Sequence, residues 1–126
     1  MATPRRPVYL NLVEIRQPLP AIVSILHRIS GALLFLVGIP VLLSVVGRTR
    51  ASPESFATLQ EWLAAPVTKL VLLVLLWAYL HHFCAGLRYL LLDLRIGDDL
   101  APARRSSAIV LFVSLALTVI IGARLW

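Results

Sequence analysis

Two short stretches of this sequence carry ionisable side chains inside otherwise apolar runs. In "SILHRISG", Ser24, His27 and Arg28 fall at i, i+3 and i+4, so a helix puts all three on one face. In "LHHFCAGLRYLLLD", His82, Gly86, Tyr89 and Asp93 fall at i, i+4, i+7 and i+11, again on one face. A hydroxyl, an imidazole and a guanidinium together can hydrogen-bond carbonyl oxygens and hold an anion. A histidine one turn from a glycine offers a ring nitrogen to a metal and leaves bare backbone beside it. That is room for a flat cofactor, a porphyrin being the obvious candidate. Each stretch also has a plainer reading. Arg28 is long enough to reach lipid headgroups from two turns inside a membrane, and His82 with Gly86 also describes a buried histidine beside a helix-packing glycine. Snorkelling leaves Ser24 and His27 unexplained, because neither is long enough. His81, about 100° round the helix from His82, is the competing ligand, and its position points it toward headgroup water, a neighbouring helix or a loop.

Composition sets the elements that must carry these residues. The chain has 126 residues, 60% of them hydrophobic, and a mean hydropathy of +0.89, too apolar for a soluble domain that must present a polar surface. A membrane-crossing helix needs about 20 mainly apolar residues. Three stretches reach that length, at about 21–47, 66–92 and 107–124. They predict an all-α integral membrane protein with three transmembrane helices in a single membrane-anchor domain over 1–126, preceded by an irregular, proline-rich arm at 1–20. Ionisable groups inside such spans are costly, and they face a bundle interior, pair, or mark a pathway. With neighbouring helices antiparallel, the helical rise puts His82 about 16 Å from the Asp93 end of its helix and Arg28 about 12 Å from the Pro20 end of the first. The two clusters therefore share one depth, Arg28 slightly nearer the water. A haem on His82 can turn its propionates toward His27 and Arg28, and a cation on a propionate accounts for its own presence in the membrane.

A net charge of +6 raises the question of nucleic acid, but the charges are sorted by side. Arg5, Arg6, Arg16, Arg28, Arg88, Arg95, Arg104 and Arg105 lie on the side of the N-terminus and second loop; Arg48, Arg50, Lys69 and Arg124 lie on the other. Eight against four follows the positive-inside bias. It predicts a cytoplasmic N-terminus and Asp93–Ser106 loop, a periplasmic C-terminus, and no nucleic-acid partner. No cleavable signal or Arg/Ser-rich presequence is apparent, which favours a bacterial inner (cytoplasmic) membrane over a mitochondrial one. The lone Cys84 excludes an internal disulfide. In the first outer loop, Ser52 followed by Pro53 and Glu54 reads as a helix start. Phe56, Leu59, Trp62 and Leu63 give that helix an apolar face, predicting a short interfacial helix. Trp62 and Trp126 fit an outer aromatic belt. Ser114, Ala116, Thr118, Gly122 and Ala123 suit the third span for close helix approach.

At its two polar stretches the sequence resembles the cytochrome b membrane-anchor family of succinate dehydrogenase, respiratory complex II. The family's first pattern runs from an Arg-Pro pair to Ser-x-x-His-Arg-x-Ser/Thr; Arg6-Pro7, Leu12, Leu19, Ser24, His27, Arg28 and Ser30 meet it. His82, Gly86, Arg88 and Asp93 meet the second, His-x-x-x-Gly-x-Arg-(His or Phe)-…-Asp, with Tyr89 in place of the usual His or Phe and Leu92 in place of an aromatic or methionine. The resemblance implies that the three helices form half of a heterodimeric haem-binding bundle. It implies that His82 is one axial ligand of haem b iron, the other coming from a companion anchor subunit. His27 and Arg28 would approach the haem propionates, and Ser24 and Arg28 would line a ubiquinone pocket near an iron–sulfur subunit. Arg88 and Asp93 would stand at the cytoplasmic mouth, where a plain charge pair closing the helix end accounts for them equally well. A flavoprotein subunit and the lipid bilayer complete the implied partners.

The implied function is that of a redox anchor: partner subunits oxidise succinate, and electrons pass to ubiquinone held partly by this chain. The sequence has no flavin fingerprint and no cysteine cluster for iron–sulfur ligation, so it does not perform the dehydrogenation itself. A structural anchor or assembly subunit without haem is the alternative. A small transporter subunit handling an anion at His27 and Arg28 is disfavoured, since no pair of interrupted spans is present. Fumarate reduction is chemically close, and only the resemblance separates it from succinate oxidation.

Overall fold

The computed structural model describes residues 15–126; the Arg5–Arg6 charges, the Arg6-Pro7 pair, Leu12 and the rest of the arm up to residue 14 lie outside the described residues. Every element among the described residues is helical: α1 (Leu19–Ala51), α2 (Pro53–Ala64), α3 (Pro66–Asp93) and α4 (Leu100–Leu125). Three of them, α1, α3 and α4, are long and apolar enough to cross a membrane, as the hydropathy predicts.

Proline placement sets several boundaries. Pro18 is extended (φ −68°, ψ 150°) and Pro20 sits in the first turn of α1, where no helical N–H partner is lost. Further along, Leu34–Gly38 form a π-helical turn directly ahead of Pro40. Proline has no N–H for the carbonyl four residues back and its ring crowds that carbonyl; the wider turn takes up the mismatch without ending the helix. Ser52 caps α2, its hydroxyl accepting from the Ser55 N–H at 3.1 Å, as the sequence predicts. Ala65 is extended and Pro66 opens α3.

The second loop is shorter than the apolar stretches suggest. α4 starts at Leu100, with Asp99 extended at its N-cap, so only Leu94–Asp99 connect α3 to α4, and Arg104 and Arg105 are helical. Pro102 is compatible because it stands in the first turn. The chain reverses through left-handed Arg95 (φ 61°) and Gly97 (φ 77°), and Arg95 pairs with Asp98 at 3.7 Å on the surface.

The N-terminal half of α1 packs against both α3 and α4, whereas Ile39–Ala51 packs against α2. Val23, Ala85 and Val110 form the centre where α1, α3 and α4 meet, with Cys84, Tyr89 and Leu111 against it. On α4, Ser107, Val110, Ser114, Thr118 and Gly122 make one buried stripe. Its hydroxyls bond backward within the helix, Ser107 to the Ala103 carbonyl at 2.7 Å and Thr118 to the Ser114 carbonyl at 2.7 Å, so none is left unpaired in an apolar interior. At Gly122 a Cβ would lie 2.7 Å from Leu73 Cδ1, which places the α3–α4 contact at this glycine. Of the small residues expected to face another helix, Ala123 lies outside the stripe and is exposed. Phe35, Leu36, Phe112, Leu115 and Val119 are exposed too, as lipid-facing or subunit-facing side chains are.

Candidate functional site

Antiparallel packing of α1 on α3 brings the two polar stretches together. The His27 and His82 rings stack with centroids 4.1 Å apart and planes 8° from parallel. The Tyr89 ring also lies against His27, centroids 5.1 Å apart and tilted by 56°. His82 Nδ1 is 3.0 Å from the His27 carbonyl oxygen and 3.3 Å from Ser30 Oγ. Ser30 is fully buried and donates its own proton to the same His27 carbonyl at 2.9 Å. A carbonyl only accepts, so Nδ1 carries a proton, and in the neutral ring the lone pair is then on Nε2. That nitrogen is the one left for a metal.

Gly31 makes this approach possible. A Cβ on Gly31 would stand 2.8 Å from His82 Cε1, closer than side chains tolerate, and one on Gly86 would meet His27 Nε2 at an ordinary 3.8 Å. The space beside Gly86 is therefore filled by His27 rather than left open as a slot, and the tight cradle is Gly31, on the opposite helix. Sequence reasoning passed over Gly31, and it treated Ser30 only as part of a motif. The signal was present: His27–Gly31 and His82–Gly86 are the same His-x-x-x-Gly spacing, once on each helix.

The other candidates divide clearly. Ser24 is half-buried on the His27 face of α1, and Arg28 is exposed beside it. His81 is fully buried, stacked on Trp77 with centroids 5.3 Å apart, and neither of its ring nitrogens has a hydrogen-bond partner. It is sealed in the bundle instead of reaching toward headgroup water or a loop, whereas His82 is only half-buried at the bundle surface. Arg88 and Asp93 do not pair. Arg88 is buried, 6% exposed, and donates across to α4, from Nε to Ser106 Oγ at 3.0 Å and from Nη2 to the Ala103 carbonyl at 3.5 Å; Asp93 is exposed. The charge pair expected at the helix end gives way to a tie between helices, because Arg88 falls on the α4 face of α3.

Among the described residues no three metal-binding side chains cluster. The Tyr89 hydroxyl is buried without a partner. An unpaired polar atom, a backbone cradle and a half-exposed histidine with a free Nε2 are what a cofactor clamped against a second protein would need. Two hollows of about 330 and 590 Å³ lie at the opposite end of α1; the smaller is lined by Val41, Val45, Leu59, Leu63, Leu72 and Arg48, with the Arg48 guanidinium over the Trp62 ring at 5.6 Å.

A family model described as succinate dehydrogenase/fumarate reductase transmembrane subunit matches residues 2–121. The chain is 38% identical over 123 residues to a succinate dehydrogenase cytochrome b556 subunit of Coxiella burnetii, covering 97% of this chain and 98% of that one. It is 33% identical over 116 residues to a protein of the same name from Paracoccus denitrificans, covering 91% and 88% respectively.

Proposed function

The chain belongs to the succinate dehydrogenase/fumarate reductase transmembrane-subunit family, and on that premise we propose that it is the cytochrome b anchor through which succinate oxidation by partner subunits reduces ubiquinone. The observation that carries this reading is His82, held by its Nδ1 on the His27 carbonyl at 3.0 Å with Nε2 free at the bundle surface. His82 Nε2 would be this chain's ligand to the iron of haem b, with the second ligand coming from a companion anchor subunit. Haem b, when bound, supplies a one-electron relay within the membrane. His27, stacked beside His82, and Arg28, exposed on the next residue, hold its propionates by charge-assisted hydrogen bonds.

Ser24 and Arg28 face the quinone. The Ser24 hydroxyl donates to a quinone carbonyl, and the Arg28 guanidinium favours the negative charge that develops on its oxygen during reduction. Because Arg28 lies toward the Pro20 end of α1, this site sits near the membrane surface on the N-terminal side. The arginine bias toward that side supports a cytoplasmic assignment for it and a periplasmic C-terminus, which suits a bacterial inner membrane. An iron–sulfur subunit docked there delivers electrons that a flavoprotein subunit takes from succinate.

The reduced-minus-oxidised optical spectrum of the purified complex tests the assignment. Wild type shows a b-type haem band and His82→Ala abolishes or shifts it. A band unchanged by His82→Ala overturns the ligand assignment. A wild-type complex without any haem leaves a purely structural anchor. Arg28→Ala then tests the quinone half: quinone reduction falls while succinate oxidation with an artificial acceptor persists.

A further inference from the structure

A histidine in a helix has a broad second torsion, so backbone geometry alone does not fix how its ring is turned. At His82 the turning is fixed from outside. The Nδ1–H faces the His27 carbonyl at 3.0 Å and Ser30 Oγ at 3.3 Å. Ser30 Oγ–H occupies that same carbonyl at 2.9 Å, closing a three-membered set of polar atoms. Beneath the ring edge, Gly31 presents no side chain where a Cβ would fall 2.8 Å from Cε1. Against one face lies the parallel His27 ring, 4.1 Å away. Ser30 is fully buried, so no water competes for its hydroxyl.

From this geometry we infer that Ser30 and Gly31 are the seat of His82, positioning residues that set the rotation of its ring and the electron-donating strength of its Nε2. The inference rests on the reading of His82 as a haem ligand. The distal N–H of a metal-bound histidine tunes the metal: a better acceptor at Nδ1–H makes the imidazole a stronger donor and favours the oxidised metal. Ser30 moderates that effect, because its hydroxyl already uses part of the His27 carbonyl's accepting capacity. Gly31 allows the ring to come close enough for the set to form.

The experiment is a redox titration with EPR of the haem in the assembled complex, on wild type, Ser30→Ala, Ser30→Thr and His82→Ala. With the carbonyl released, Ser30→Ala keeps haem but shifts its midpoint potential to more negative values and changes its g-values. Ser30→Thr, which retains the hydroxyl, restores both. An Ala variant with wild-type potential and g-values overturns the seat. Should Ser30→Ala assemble without haem, recovery in Ser30→Thr supports the seat and loss in both variants overturns it. If His82→Ala keeps the wild-type haem signal, the ligand reading itself fails and the seat falls with it.

Discussion

His27 and His82 lie face to face, 4.1 Å between centroids and 8° from parallel, each beside the glycine that follows the other by four residues. α1 carries His27 and Gly31, α3 carries His82 and Gly86, and the antiparallel packing interleaves them. The relationship is not symmetric in tightness: Gly31 is within 2.8 Å, by its missing Cβ, of the His82 ring, while Gly86 leaves 3.8 Å to His27.

That asymmetry predicts unequal costs for the same substitution. Gly31→Ala places its methyl inside contact distance of a ring stacked on His27 and held at Nδ1, so the ring must shift to admit it. Overpacking of this kind costs about 1–3 kcal/mol and displaces His82. Gly86→Ala makes an ordinary contact, and alanine is the better helix former by about 1 kcal/mol, so its stability equals or exceeds wild type. Thermal denaturation of the two variant complexes in detergent, followed by helical signal, checks this; equal destabilisation would contradict the packing described.

Arg88 makes its bonds across α3 and α4, not along α3 to Asp93. A buried guanidinium that loses a partner is costly, and hydrogen bonds to charged groups contribute about 1.5–3 kcal/mol. Ser106→Ala removes the 3.0 Å bond to Arg88 Nε and destabilises the complex by about that amount. Asp93→Asn, at an exposed position, changes stability by less than about 0.5 kcal/mol. A large loss in Asp93→Asn with none in Ser106→Ala would restore the helix-end charge pair.

These contrasts show what was readable in the chain before its fold. Span existence and number were legible because a run of about 20 apolar residues has few alternatives, and the start of α2 was legible because Ser52 and Pro53 each act locally. The start of α4 was not, since Pro102, Arg104 and Arg105 look like loop chemistry unless the tolerance of a first turn for proline outweighs composition. The partner of Arg88 depended on which face of α3 meets α4, and α3 is apolar on nearly all sides, so periodicity could not orient it. Ser30 and Gly31 gain their importance only from the opposite helix. A repeated His-x-x-x-Gly spacing is visible in one dimension, but its interleaving is a three-dimensional fact.

Outside the spans, Glu54 opens α2. Its carboxyl is held below the usual carboxylate range by its own backbone N–H and then by the Ser52 hydroxyl, burial acting weakly against both. A group whose pKa is depressed by folding stabilises the folded form above its unfolded value, near 4.3, and loses that contribution as pH falls through the lower folded value. The first turn of α2 therefore frays as acid protonates Glu54, below the ordinary carboxylate range. Hydrogen exchange of α2 amides in detergent rises there relative to neutral pH, and Glu54→Gln removes the dependence. An acid response that persists in Glu54→Gln assigns it to another carboxylate.

His81 and His82 are adjacent in sequence and opposite in environment, and this separates their roles experimentally. His81 has no exposed surface, both ring nitrogens unpaired and Trp77 stacked 5.3 Å away at 22°. A buried polar group without partners carries a desolvation cost of about 1–3 kcal/mol, and an apolar group of like shape removes it. His81→Phe keeps the flat ring against Trp77 and loses both unsatisfied nitrogens, partly offset by the larger ring in a filled site. The expected outcome is a complex at least as stable as wild type with an unchanged haem spectrum. His82→Phe in parallel loses the spectrum, because no other nitrogen stands at the bundle surface on that face of α3. If His81→Phe loses the haem band while the subunits remain assembled, the buried histidine is the ligand, and α3 must turn from the orientation described here to present it.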